Sequence, residues 1–227
     1  MNMNELSAPR WWLYGPHIGL VVSVQDPAER ARVKVRLTGA DADGSAALWA
    51  RVAVPFAGDN RGAFLIPDVG DEVLVMFVGG DPRAPVVVGA LWNGATSVPE
   101  TIGGERIDRW TLTGRNGTRI AIVEAADGQE KVEIETPNGV SATLTDAAGG
   151  AITLDTGTGS TITANATGVS VQSSGAVSVT ATSVSVSASE MTVNAPMATF
   201  SNVVQCQTLS TTSVISQHYT IGTNNLL

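Results

Sequence analysis

Two histidines, one cysteine and a few neighbouring carboxylates are the side chains of this 227-residue sequence that invite a catalytic or metal-binding reading. General acid–base work needs two groups converging on one bond. Asp41 and Asp43 instead sit in a Gly-containing loop, and Asp71 and Glu72 lead into a strand, so both pairs read as turn chemistry. Cys206 stands alone, which rules out an intrachain disulfide and any metal-binding spacing. It reads as a small buried core residue. Gly114, Arg115, Asn116 and Gly117 form a hairpin turn rather than a phosphate cradle, because no helical pattern follows them. There is no Gly-x-Ser-x-Gly elbow and no His-x-x-x-His helix. The expected catalytic, cofactor and metal sites are therefore none, and the chain is not read as an enzyme. His17, beside Pro16, reads as structural. His218 is the weak metal candidate: three copies around an axis would offer three imidazoles to zinc or iron. A packed or exposed histidine near the chain end is the preferred alternative.

The formal charge is −8 and no basic cluster stands out, so a nucleic-acid partner is not expected. Residues 1–16 lack the basic stretch and apolar run of a secretion signal. The longest strongly apolar stretches, such as 73–78, are too short to cross a bilayer. A soluble protein made in a cytoplasm is the expectation.

The elements that must carry these residues differ between the two halves. All five tryptophans fall between Trp11 and Trp110, and all 13 Lys and Arg residues precede Val132. Beyond Asp155 the only acidic or strongly basic side chain is Glu190. Such a tail has a linker-like composition, but its periodicity points to strands. Val177, Val179 and Ala181 alternate with Ser178 and Thr180, and the pattern restarts at Val184 and Val186, at Met191 and Val193, and less cleanly at Ala198 and Phe200. Val169 and Val171 fit the same series upstream. Apolar residues at i, i+2 and i+4 have strand spacing, not helix spacing. Each repeat reads as a short strand and a bend, and the tail as a β-solenoid. Open edges on charge-poor Val/Ser/Thr strands would aggregate, so several chains sharing one axial core are expected. The pattern does not set their number. Val177, Val179, Val184, Val186, Met191, Val193 and Phe200 are the core residues this assigns.

The first half alternates differently. Strands over 18–24, 32–37, 48–54, 72–78 and 85–91 are joined by Gly/Pro/Asp turns, as at Asp26–Pro27 and over 79–82. About five strands in about eighty residues suit an OB-type barrel. The fold class is thus all-β: an N-terminal OB-fold barrel followed by an intertwined β-helix.

The run FLIPDVGDEVLV at 64–75, followed by GGDP at 79–82 and PVVVGALW at 85–92, resembles the OB domain of phage baseplate assembly protein V. GLVVSV at 19–24, VKVRL at 33–37, WARV at 49–52 and VPFAG at 54–58 fit the same pattern. That family of spikes is shared by phage tails, R-type bacteriocins, extracellular injection systems and type VI secretion. TGRNGTRI at 113–120 and the residues up to 154 look like the hairpins that begin its β-helical needle. The resemblance implies a homotrimer, with three OB domains collaring the base at a baseplate hub protein and three C-terminal segments wound into one needle. Sheath contraction would drive that needle through a target cell envelope, mechanically. It also implies a division into 1–16 (hub contact or packing), 17–93 (OB domain), 94–109 (linker) and 110–227 (needle, with a hairpin-rich neck over 110–155 and a charge-poor shaft over 156–227). The particle would be assembled in the cytoplasm, with the spike at the distal end of the tail. At about 4.8 Å per strand, about ten strands beyond residue 150 would extend roughly 50 Å.

Three departures qualify the likeness. Residues 93–108 leave too little chain for the lysozyme domain that some relatives insert. Only about sixteen residues precede the barrel, so a hub would be a separate protein. The His-x-His pair that binds iron at the apex of short phage spikes is reduced here to His218, Tyr219 and Thr220. A separate PAAR-type tip protein is therefore an expected partner, seated on Thr223, Asn224, Asn225, Leu226 and Leu227. Trp11, Trp12 and Tyr14 form the densest aromatic cluster. They read either as a hub-docking anchor or as packing on the chain's own barrel. A trimeric β-helical receptor-binding fibre is the main rival reading, and a lytic enzyme a distant one.

Overall fold

The computed structural model describes residues 13–39 and 46–217. It is all-β, with two single-turn 3-10 segments and no longer helix among the described residues. The chain divides into two compact units, Met1–Ala176 and Val177–Leu227.

Seven strands come first: β1 (His17–Ser23), β2 (Val33–Leu37), β3 (Ala47–Val52), the two-residue β4 (Ala57–Gly58) and β5 (Arg61–Gly62), β6 (Glu72–Phe77) and β7 (Pro85–Leu91). β1, β2, β3, β7 and β6 close into a barrel in that order, while β4 and β5 pair only with each other. One parallel pair, β3 with β7, closes the ring. Closure leaves no strand edge open. The core is built mainly of valine: Val21, Val33, Val35, Val73, Val75 and Val87 are fully buried, with Ala50, Leu37 and Phe77 beside them. β-Branched side chains suit the pleated inner wall of a small barrel. Gly19 lets β1 approach its neighbours, since a Cβ there would lie 2.3 Å from Val35 Cγ1. Asp26 fastens the β1–β2 connection. Its carboxylate accepts from Arg32 Nη2 at 2.7 Å and Nε at 3.0 Å, and from the backbone N–H groups of Ala28 and Arg30. Those donors, Arg32 above all, hold its pKa well below the usual carboxylate range.

β8 (Arg109–Thr113), β9 (Arg119–Val123), β10 (Lys131–Glu135), β11 (Ser141–Thr145), β12 (Ala151–Asp155), β13 (Ser160–Asn165) and β14 (Gly168–Ser173) follow. They form one antiparallel meander in which each strand pairs with the next. Turns stack along one margin: a Cβ on Gly157 would lie 2.9 Å from the Gly139 carbonyl oxygen, and Gly157 has φ +68°. The meander runs to Ser173, so hairpins continue past the 155 boundary assigned to the neck.

Within Val177–Leu227 the described residues, 177–217, form no strand. The repeats therefore do not build a β-helix inside one chain. A strand needs a partner ladder for its N–H and C=O groups, and a single chain supplies none here. Val177, Val179, Val184, Val186, Met191, Val193 and Phe200 are accordingly 62–75% exposed. Cys206 is exposed as well, which corrects its reading as a buried core residue. The same absence of covering strands accounts for it.

Candidate functional site

The register of the meander sorts its side chains into two faces. Residues directly opposite across an antiparallel ladder share a face, and those two apart on a strand do too. One row across all seven strands reads Leu112, Ile120, Ile134, Ala142, Leu154, Ile162, Val171. The row beside it reads Trp110, Ile122, Val132, Leu144, Ile152, Ala164, Val169. Every member is apolar. The twelve larger than alanine are 41–75% exposed. At about 4.8 Å per strand the face extends roughly 29 Å, far beyond the scattered apolar residues of an ordinary surface.

The opposite face is polar and better covered. Thr143, Thr153 and Thr163 are half-buried there, and Ala121 and Val123 are only 1% and 6% exposed. The sheet is thus inside out for a lone chain, with its greasy side uncovered.

A chain of ion pairs ties the connection from the barrel onto this polar face. Arg119 Nε donates to Glu100 at 2.7 Å, Arg109 Nη1 donates to the same carboxylate at 3.4 Å, and Arg109 also pairs with Asp108 at 2.9 Å. Arg119 and Lys131 both pair with Glu133. The Arg119 hydrogen bond holds the Glu100 carboxyl below its ordinary value, and Arg109 does the same to Asp108. Arg115, in the β8–β9 turn, pairs with Asp68 of the barrel.

Among the sequence candidates, Tyr14 lies across Gly80, where a Cβ would come within 2.9 Å of its ring, yet Tyr14 remains 62% exposed. Leu13 donates its N–H to the Gly80 carbonyl at 2.8 Å and packs on the barrel core. Trp11, Trp12, Asp41, Asp43, His218 and residues 223–227 lie outside the described residues. Asp71 closes a turn by accepting from the Asp68 N–H at 2.8 Å. His17 meets Phe77 edge-on at 5.5 Å, and its Nε2 is buried without a hydrogen-bond partner. Among the described residues no group of three or more His, Cys, Asp or Glu side chains is placed to hold a metal. The face over 110–164 was missed by sequence reasoning, which placed the shared core from Val169 onward. Its signal was present in segments such as KVEIE and SATLT, which alternate strictly.

Two family models match. One describes the type VI secretion system/phage-baseplate injector OB domain and covers residues 17–92; the other describes the phage baseplate V C-terminal trimerisation domain and covers residues 131–196. Relatives include the type VI secretion system spike protein VgrG1a of Pseudomonas aeruginosa, 43% identical over 51 residues, or 22% of this chain and 8% of the relative. VgrG4b of the same organism, also a type VI spike protein, is 34% identical over 94 residues, covering 40% and 12%. The actin cross-linking toxin VgrG1 of Vibrio cholerae is 30% identical over 101 residues, covering 41% and 9%. The chain therefore spans only about a tenth of the length of these relatives.

Proposed function

The chain belongs to the baseplate V family of injector spikes, with its OB domain and its trimerisation domain, and from that premise we propose that it is the central spike of a contractile injection machine. One observation carries the reading: a seven-stranded sheet with an unbroken apolar face left open in the single chain. The trimerisation match takes in β10 to β14 of that sheet. Three copies facing inward would make a three-walled prism and remove both apolar rows from water. Beyond Ser173, where the described residues of one chain form no strand, three chains would supply one another's ladders and wind into a β-helical needle.

In this reading the OB domains sit on a tube or hub protein, and the exposed Tyr14 belongs to that contact together with Trp11 and Trp12. A tip protein would cap residues 223–227. Sheath contraction pushes the assembled shaft through a target envelope, at the distal end of a phage tail, a bacteriocin or a related particle. The work is mechanical and needs no bond-making residue. Sedimentation of the purified chain tests it: a trimer persisting at nanomolar concentration is expected, and a stable monomer rejects the reading. Clearing of peptidoglycan in a zymogram would replace it with a lytic enzyme, and saturable binding to whole cells with a receptor-binding fibre.

A further inference from the structure

The outer wall of the barrel carries cations at one end. On β2 and β3 the alternation that buries Val33, Val35 and Ala50 turns Lys34, Arg36 and Arg51 outward. Leu20 of β1 lies opposite both Glu72 and Arg36, and Ser23, further along β1, lies opposite Lys34. Arg51 extends one residue past the pairing of Val33 with Ala50. The three cations therefore stand at the end of the barrel where β6 begins, close in sequence to Asp68. The carboxylates of that end are engaged: Asp26 by Arg32, Asp68 by Arg115 and Glu72 by Asn93. Among the described residues Lys34, Arg36 and Arg51 form no ion pair.

The two turn margins of the meander differ in charge. One is formed by the turns over 114–118, 136–140 and 156–159, and Arg115 is the only charged residue in them. The other carries the β9–β10 turn, EAADGQE over 124–130, and the β11–β12 turn that starts at Asp146. Backbone bonds stack this second margin, from the Glu124 N–H to the Asp108 carbonyl at 2.7 Å and from the Asp146 N–H to the Glu130 carbonyl at 2.9 Å. Among the described residues Glu124, Asp127, Glu130 and Asp146 form no ion pair either.

We propose that the cationic end of each barrel clasps the acidic β9–β10 turn of a neighbouring copy. The proposal rests on the spike reading, which closes three sheets into one prism. In a closed threefold ring each wall presents one margin to the opposite margin of the next. The acidic margin of one copy therefore meets the other turns of its neighbour, whose single cation is already held by Asp68. The same ion pair ties those turns to the neighbour's own barrel, and a cavity between them is lined by Asp68 and Trp92 on one side and by Thr113 and Arg115 on the other. That barrel end supplies the positive charge that the turns lack. Partly exposed ion pairs are weak singly, but the symmetry repeats each one three times. The clasp would fix how the barrels are rotated about the shaft.

The test uses the full-length chain with Cys206→Ser, so that introduced thiols are the only ones. Arg51→Cys and Asp127→Cys combined, treated with a short bis-maleimide, should yield covalent trimer whose linked peptides join position 51 to position 127. Linkage confined to one chain, or no linkage, overturns the proposal. Melting gives a second reading that needs no introduced cysteine. Lys34→Glu with Arg51→Glu should lower the melting temperature of the trimer by about 2–4 °C. Adding Asp127→Lys and Glu130→Lys should restore it. An unchanged melting temperature in the first pair overturns the clasp, and so does a swap that restores nothing. If wild type sediments as a trimer while any of these results appears, the clasp fails and the spike reading stands. A monomeric wild type removes the spike reading first and the clasp with it.

Discussion

Arg119 on β9 donates to Glu100 at 2.7 Å, nineteen residues back in the chain, and so bonds the segment leaving the barrel to the sheet. Arg119 holds the Glu100 pKa below its ordinary value. A carboxylate with a lowered folded pKa stabilises the structure above its unfolded pKa and loses that effect as pH falls through the folded one. The pair's stabilising effect should therefore persist at neutral pH and be lost only below the usual glutamate range, read as a fall in melting temperature in acid. Glu100→Gln should melt lower already at neutral pH, with this acid-dependent step gone.

Replacing Leu154 with alanine should destabilise the trimer by about 2–5 kcal/mol per chain, the usual cost of emptying a packed leucine site. The isolated single-chain fold should barely respond, because Leu154 is 47% exposed there. Thermal melting of the trimer checks the first expectation, and a destabilisation of zero would place β12 the other way round.

Ile122→Glu should prevent assembly outright, since three carboxylates would meet in one apolar layer. Sedimentation should then show monomer or aggregate. Val186→Asp should do the same from the repeat region; normal trimer yield from that variant would put Val186 on the solvent side.

Gly19→Ala should lower barrel stability by roughly 1–3 kcal/mol through overpacking, because the added methyl would collide with Val35 Cγ1 at 2.3 Å. Trimer formation should survive, as Gly19 lies in the barrel and not in the sheet that carries the apolar rows. A melting curve that separates barrel from shaft would show which transition moves.

The barrel was legible in the sequence because its signals are local. Alternation places Val33, Val35, Val73 and Val75 inward, and turn residues separate the strands. The repeats after Val177 announced strands without partners, and one chain leaves those residues without a strand. Between the two, segments such as KVEIE alternate charges with aliphatics, so their apolar side was easily taken for an ordinary half-buried strand. Only the register shows that seven such segments align their aliphatics in two continuous rows. Ion pairs such as Arg115 with Asp68, 47 residues apart, leave no trace in spacing. Cys206 failed for a related reason: burial inferred from residue type presumes covering neighbours, and in the single chain Cys206 is exposed.

A closed barrel and an inside-out sheet on one chain make very different demands during biosynthesis. The barrel satisfies its five ring strands by itself and leaves the ribosome before the sheet, so it can fold without waiting. The sheet that follows reaches water with its adhesive side uncovered and remains a hazard until two more copies arrive. Encounter of three chains depends steeply on their concentration, so slow or sparse synthesis should favour clumping over assembly. Yield ought to rise when messages are translated in clusters, and a transient chaperone shield over the two aliphatic rows would have most to protect in that interval.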